Sequence, residues 1–159
     1  MGYYVRAFCA SGDPPPLRQV LDYALDKGSP VQLDPEVSAS DPDDPNWEQA
    51  GLLYKDGKLP ILLEVNRNDS EDSLAREEID EFLEFLEDAP RNGNRKKVED
   101  HLRATRFVVA AQLPTGDIDD DGYDANGWIM RFFLERNDGM IQADGEGFYE
   151  GDRLIVELG

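Results

Sequence analysis

The sequence predicts an α+β fold, in which a largely antiparallel sheet of about six to seven strands carries three helices packed mainly on one face. Short apolar runs with a two-residue period recur along the chain. Several of them flank Asp-Gly or Gly-Asp pairs, which are typical of tight turns between antiparallel strands. Three other segments repeat their apolar residues at helical spacing. No internal repeat or linker divides the chain, so residues 1–159 are predicted to form a single α+β domain.

The N-terminal part is predicted to run strand, helix, strand. Apolar residues alternate over 3–10, then recur at helical spacing over 17–25, and Gly28 ends that helix. A short strand is expected at 30–33. This order allows a right-handed crossover and a ferredoxin-like arrangement in the N-terminal half. The Asp-, Pro- and Ser-rich stretch 34–46 lacks apolar periodicity and is predicted to be a loop.

The middle of the chain is predicted to form a hairpin and then two helices. Runs 50–54 and 59–65 flank an Asp-Gly turn, the usual signature of a hairpin. Residues 70–88 form the clearest helix, with Ser70 as its capping residue and an apolar stripe facing the core. The opposite side of this helix carries a carboxylate stripe consisting of Glu77, Asp80, Glu81, Glu84 and Asp88. A shorter helix is expected at about 96–104.

The C-terminal part is predicted to consist of strands. Phe107–Leu113 is apolar on both faces, which indicates a strand in the middle of a sheet. Residues 128–134 alternate between an apolar face and a mixed face, which predicts a second long strand. Two further strands are expected at 140–143 and 153–158, after turns that contain Gly139 and Gly151.

The strongest compositional signal is negative charge, with 35 Asp and Glu against 16 Lys and Arg and a formal net charge of −19. This field repels nucleic-acid phosphates and anionic lipids, so neither nucleic acid nor membrane is an expected partner. High solubility, a salty cytoplasm and a basic protein partner each account for the charge. The sequence shows no signal peptide or membrane span, and its single cysteine cannot form an internal disulfide, so a cytoplasmic location is predicted.

The acidic stretch 116–124 carries the most specific chemical pattern. Asp117, Asp119 and Asp121 match positions one, three and five of an EF-hand calcium loop, where three carboxylates converge on the cation. The pattern continues with Gly122 at position six and with the carbonyl of Tyr123 at position seven. A metal site formed by Asp117, Asp119, Asp121 and Tyr123 is therefore a hypothesis.

Two features weigh against calcium at this loop. Position twelve, where a bidentate Glu belongs, is Trp128, and the flanking segments are predicted to be strands where an EF-hand has helices. An acidic turn in an acidic protein is the alternative interpretation. No cofactor is expected, and Ca²⁺ is the one candidate.

No nucleophile, general base or cofactor motif stands out, which favours a non-enzymatic protein-interaction or regulatory module. Such a module would present its acidic surface, or the region of Trp47 and Tyr123, to a protein partner. An inhibitor or immunity-type protein with a basic partner is one specific form. The alternative is a divalent-cation-binding protein or metal-dependent hydrolase that uses the loop from Asp117 to Asp124. Small-molecule binding between sheet and loop is a third hypothesis, and the chain is expected to be a monomer or a homodimer.

Overall fold

The computed structural model describes residues 3–37 and 41–158. Residues 38–40 of the predicted loop, together with the chain ends at Met1, Gly2 and Gly159, lie outside the described residues. The fold is α+β, with one open antiparallel sheet of eight strands in the order β2-β3-β4-β5-β1-β6-β7-β8 and four helices in the described ranges. No helix in those ranges combines the length and apolar character that a bilayer span requires.

The described elements follow one another along the chain as β1 Tyr3–Cys9, α1 Leu17–Asp26, β2 Gln32–Leu33, β3 Gln49–Leu53, β4 Ile61–Arg67, α2 Leu74–Leu86, α3 Gly93–Arg103, β5 Phe107–Leu113, α4 Asp120–Asn137, β6 Gly139–Ala143, β7 Gly147–Glu150 and β8 Arg153–Glu157.

Strand β5 lies in the interior of the sheet, as its apolar character on both faces predicted. It pairs antiparallel with β4 on one side and with β1 on the other. Phe107 and Val109 face one core together with helices α1 and α4. Val108 faces a second core, which contains residues of α2 and α3. The prediction that the helices pack mainly on one face is therefore wrong, because a sheet with two apolar faces must bury both of them.

The segment 128–134 is helical, so the strand predicted there is wrong. It belongs to α4, whose buried residues include Ala125, Ile129 and Phe133, each four positions apart. This spacing places them on one helical face, and the apparent two-residue alternation arose from apolar residues on the flanks of that face. Short apolar runs do not distinguish a buried helix from a strand by periodicity alone.

The N-terminal half does not have a ferredoxin-like arrangement. Strands β1 and β2, which α1 connects, are separated in the sheet by β3, β4 and β5. A split crossover does occur later in the chain, where β5 and β6 are linked by α4 and both pair with β1. Strand β7 was not predicted. Helix α2 begins at Leu74, and its N-cap is Ser73 rather than the predicted Ser70, since the Ser73 hydroxyl accepts a hydrogen bond from the Arg76 amide at 3.2 Å.

Candidate functional site

Two of the predicted metal ligands, Asp119 and Asp121, meet at the side chain of Lys55. Lys55 Nζ lies 3.0 Å from Asp119 Oδ2 and 2.9 Å from Asp121 Oδ2. Asp119 is also the N-cap of α4, because its Oδ1 accepts a hydrogen bond from the Gly122 amide at 3.2 Å. Asp121 lies in the first helical turn, where negative charge is favourable. The hairpin between β3 and β4 therefore supplies a cation to the start of α4.

Asp117 and Tyr123 are directed to other partners. Asp117 Oδ2 accepts a hydrogen bond from the Leu59 amide at 2.8 Å, and its carbonyl accepts one from Lys58 Nζ at 2.9 Å. Tyr123 lies inside α4, where a backbone carbonyl points along the helix towards the N–H four residues on. In the described part of the chain, no group of three or more His, Cys, Asp or Glu side chains could hold a metal ion. The calcium site stays a prediction.

Gly122 has a packing role at the start of α4. A Cβ at this position would lie 2.5 Å from an Ile118 side-chain carbon and 2.7 Å from the Tyr54 ring. Glycine is therefore required because α4 approaches the β3 end closely, whereas the sequence hypothesis assigned it to a calcium-loop turn.

The pairing with Lys55 changes the protonation of this cluster. The hydrogen bond from Lys55 lowers the pKa of Asp119, and the amide hydrogen bond from Gly122 acts in the same direction. Hydrogen bonds to Asp121 and Asp119 raise the pKa of Lys55. Asp119 and Lys55 are therefore both charged around neutral pH, and Lys55 offsets part of the negative charge of the loop.

The outer side of α2 has the opposite character. Its exposed carboxylates are Glu77, Asp80, Glu81 and Glu84, and Asp88 lies two residues beyond the last helical residue. We call these five the acidic face of α2. None of the five forms an ion pair with a cation among the described residues, although several other acids do. Those paired acids are Asp13, Asp43, Glu78, Glu99, Asp100, Asp119, Asp121, Glu135, Asp144, Glu150 and Asp152.

A groove of about 600 Å³ runs beside the acidic face of α2, between that helix and the β6 and β8 ends. Phe85 on its wall is 46% exposed, an unusual degree for a large aromatic side chain on a helix that faces a core. Its ring packs edge to face on Phe82, with centroids 5.7 Å apart. Its rim includes Glu81 and Asp88 of the acidic face, and Glu157 adds one further carboxylate. The groove therefore combines an aromatic wall with a negatively charged edge.

Arg6 of β1 forms the floor of this groove and holds two of its acids. The guanidinium donates hydrogen bonds at 2.8 Å to Glu78, to Gln142 and to Asp144. It also lies over the Phe82 ring, 5.3 Å from the centroid. Because the Arg6 side chain is only 16% exposed, this cation is used internally and is not available to neutralise the rim.

Burial raises the pKa of Glu78, while the neighbouring Arg6 and the Asn66 amide act in the opposite direction. Asn66 Nδ2 donates to Glu78 Oε1 at 3.0 Å, so both carboxylate oxygens have a donor. Glu78 is therefore a structural partner of Arg6, whereas its neighbours on the acidic face of α2 remain in water.

Trp47 and Cys9 are buried in the core. Trp47 is 1% exposed, and its indole N–H donates to the Pro15 carbonyl at 2.8 Å, so the hypothesis that Trp47 faces a partner is wrong. Cys9 is fully buried, and burial raises the pKa of its thiol. His101 Nε2 lies 2.7 Å from the Phe8 carbonyl. Tyr123 is 52% exposed and remains accessible.

No family model, curated protein or solved structure matches this chain.

Sequence reasoning found the acidic face of α2 but missed Arg6 and Phe85 in the groove beside it, and Lys55 at the start of α4. Arg6 contacts Glu78 and Asp144, which lie 72 and 138 positions away in the chain. Phe85 lies between acidic positions of α2, and its exposure became evident only from the packing of the helix. Lys55 gave no local signal, since its acidic partners are 64 and 66 residues distant.

Proposed function

We propose that this protein is a non-enzymatic interaction or regulatory module that binds a basic protein surface through the acidic face of α2 and the adjoining groove. The observation that carries the proposal is the absence of ion pairs between the five exposed carboxylates of this face and any described cation. Charged groups left without partners on one side of a helix provide the complementary half of an electrostatic interface.

The energetics of α2 favour such a partner. Glu77 and Glu81 form a like-charged pair at four-residue spacing, as do Asp80 and Glu84, and each such pair destabilises a helix by roughly 0.2–0.5 kcal/mol. Lys or Arg side chains of a partner would relieve this repulsion. Phe85 would add apolar contact and a cation–π surface for an incoming guanidinium.

The specific form that we favour is an inhibitor or immunity-type protein that neutralises a basic partner. The net charge of −19 would accelerate association with such a partner, and binding would weaken steeply as salt screens the charges. Nucleic acid and anionic membrane are not proposed partners, because both carry the same sign of charge. A cytoplasmic location belongs to the proposal, since the single cysteine is a free, buried thiol. The protein would act as a monomer or a homodimer.

The test compares two variants of equal net charge for binding to a synthetic Lys/Arg-rich peptide. The first variant neutralises four positions of the acidic face of α2, as Glu77→Gln, Asp80→Asn, Glu81→Gln and Glu84→Gln. The matched control neutralises four exposed acids elsewhere, as Asp22→Asn, Asp26→Asn, Glu36→Gln and Asp56→Asn. Fluorescence anisotropy titrations at low and physiological salt give the dissociation constants.

We expect the α2 variant to bind the peptide about tenfold more weakly than wild type, a difference of ~1.4 kcal/mol. The control should change by less than about twofold, because long-range charge is screened beyond the Debye length. Equal losses in the two variants would mean that binding reports net charge alone, and α2 would then not be an interface. The same two proteins can next serve as matched baits for a partner in native extract.

The alternative function is that of a divalent-cation-binding protein or metal-dependent hydrolase that uses the loop from Asp117 to Asp124. One observation favours it, which is the convergence of Asp119 and Asp121 oxygens on a single cationic nitrogen at 3.0 and 2.9 Å. A divalent ion would have to displace Lys55 and recruit further oxygen ligands, because Ca²⁺ takes six to eight of them.

A further inference from the structure

The groove beside α2 carries more negative charge than its one cation balances. Its wall includes five carboxylates and one guanidinium, which belong to Glu78, Glu81, Asp88, Asp144, Glu157 and Arg6. The guanidinium pairs with two of the carboxylates. The other three form no ion pair within residues 3–37 and 41–158, and they come from α2, from the turn after it and from β8. Unpaired negative charge therefore borders the groove from the helix and from the sheet, and it complements a cationic group.

Arg6 shows how this groove holds a guanidinium. Its Nε donates to Glu78 Oε2 at 2.8 Å, and its Nη1 donates to Asp144 Oδ1 at 2.8 Å. Its Cζ lies 5.3 Å from the centroid of the Phe82 ring. Glu78 and Phe82 are four residues apart, which places them next to each other on one side of α2. The guanidinium is therefore held by a Glu and a Phe one helical turn apart and by one carboxylate that directly follows a strand.

A second set of the same residue types lies further along α2 and holds no cation of the described chain. Glu81 and Phe85 are again four residues apart, three positions after Glu78 and Phe82. Glu157, the last residue of β8, supplies the carboxylate at the end of a strand. All three line the same groove as Arg6 does. Phe85 is 46% exposed, so its ring is accessible to a ligand.

An arginine side chain fits this second set better than a lysine side chain does. A guanidinium is planar, stacks on aromatic rings and donates two parallel hydrogen bonds to a carboxylate. A lysine ammonium is a compact and strongly hydrated point charge, which gains less from an aromatic face. The groove therefore provides a basis for discriminating between two basic residues, which net charge alone does not provide.

We propose that Glu81, Phe85 and Glu157 bind an arginine side chain of the protein partner, with its guanidinium stacked on Phe85 and hydrogen-bonded to the two carboxylates. Asp88 adds negative charge at the rim. This arginine site rests on the function proposed for the acidic face of α2, and it specifies which residue of the basic partner the groove recognises.

The test compares two fluorescent Gly-Ser peptides of equal length and charge, one with four arginines and one with four lysines. Anisotropy titrations at physiological salt give the dissociation constants. Phe85→Leu removes the aromatic ring but keeps an apolar side chain of high helix propensity. Tyr123→Leu is the matched control variant, since Tyr123 is 52% exposed on α4 and does not line the groove.

We expect wild type to bind the arginine peptide about fivefold more tightly than the lysine peptide, close to the factor that a cation–π contact at an exposed site supplies. Phe85→Leu should reduce this ratio to about one, while its affinity for the lysine peptide changes by less than about twofold. Tyr123→Leu should keep the wild-type ratio. Because a misfolded variant would lose both peptides, the ratio separates loss of the arginine site from loss of the fold.

Glu157→Gln tests the carboxylate that β8 contributes. Its control is Glu36→Gln, which makes the same change of charge at an exposed position outside the groove. We expect Glu157→Gln to weaken binding of the arginine peptide about threefold, as the loss of one exposed ion pair does. Glu36→Gln should bind this peptide as wild type does, and equal losses in the two variants would exclude Glu157 from the site.

Equal affinity of wild type for the two peptides would overturn the arginine site, and so would an unchanged ratio in Phe85→Leu. Either result would leave the function proposed for α2 standing, because that function is tested by the α2 variant and its matched control. Equal losses in those two proteins would instead contradict the proposed function itself, so the two failures are distinguishable.

Discussion

The α4 start and the outer side of α2 are both rich in carboxylates, but they differ in whether a described cation pairs with those carboxylates. At the α4 start, Lys55 reaches across from the β3–β4 hairpin and pairs with Asp119 and Asp121. On α2, the five exposed carboxylates have no paired cation in the described ranges. Arg6, the half-buried cation in the groove beside α2, is directed inward to Glu78 and Asp144.

This difference shows that a local density of acids says little about function until the cations are placed. The loop appeared to be the more specific chemical signal because its spacing matched a known ligand pattern. Asp119 nevertheless caps a helix, and Asp119 and Asp121 both bind the Lys55 ammonium group. The acidic face of α2 has a less specific pattern, but its charges remain available to a partner.

The largest expected effect concerns Arg6, the half-buried cation in the groove beside α2. Arg6→Met leaves Glu78 and Asp144 without their cation, and because these pairs are partly buried the free energy of unfolding should fall by about 2 kcal/mol, between the values for exposed and buried pairs. Urea unfolding at neutral pH measures the change. Adding Glu78→Gln to Arg6→Met should recover part of the loss, because the partly buried carboxylate without a counter-ion is then removed.

Arg18→Met is the control for that experiment, because Arg18 and Asp43 form an exposed pair with side chains that are 50% and 65% accessible. Exposed pairs contribute little to stability, so this variant should unfold close to wild type. If the two arginine variants lost similar amounts of unfolding free energy, the Arg6 ion pairs would stabilise the fold no more than exposed pairs do.

An intermediate effect is expected from calcium at the α4 start if the sequence hypothesis holds. Calcium should then raise the melting temperature by about 3 °C, the shift that roughly 1 kcal/mol of binding produces in a domain of this size. Magnesium and EDTA should not do so. Asp119→Asn with Asp121→Asn should abolish the shift.

Lys55→Met sharpens this test, since it removes the ammonium group that occupies both carboxylates. A metal site would show a larger calcium shift in this variant than in wild type. Coincident melting curves in both proteins, with and without calcium, would establish the loop as an acidic turn closed by Lys55.

The smallest expected effect is on the pH dependence of stability. Because Lys55 lowers the pKa of Asp119 in the folded state, Asp119 stabilises the fold above its unfolded-state pKa of about 4, and this contribution is lost as pH falls through the lower folded-state value. In Asp119→Asn the melting temperature should fall less steeply as the pH is lowered through the acid range, since Asn still caps the helix but does not titrate.

Asp124→Asn, on the same helix, serves as the control because Asp124 is exposed and pairs with no described cation. This variant should follow the wild-type pH profile. An Asp119→Asn profile that matches wild type would mean that Lys55 and Asp119 do not interact significantly in solution.

The fold class and several of its elements were predictable from local patterns. Strand β5 spans the predicted range Phe107–Leu113, and its two apolar faces correctly indicated an interior strand. Helix α2 followed from its apolar stripe, although its cap is Ser73. Local sequence could not decide the structure of 128–134, because apolar residues on both sides of the segment fit a strand and a buried helix equally well.

The candidate sites were predictable only in part. The carboxylates of the acidic face of α2 recur at helical spacing, so their common side follows from helical geometry alone. The cations that bind other acids had no counterpart in the sequence patterns, because Arg6 and Lys55 lie far along the chain from their partners.

The sequence alone therefore determined the α+β class, most strand and helix positions and the excess of negative charge. These properties depend on periodicity and composition, which act over a few residues or over the whole chain at once. Packing decided which acids have a cation, which sheet face each helix covers and where a groove remains. Those outcomes depend on contacts between residues far apart in the chain, such as Lys55 with Asp119 and Arg6 with Asp144, for which short-range spacing holds no information.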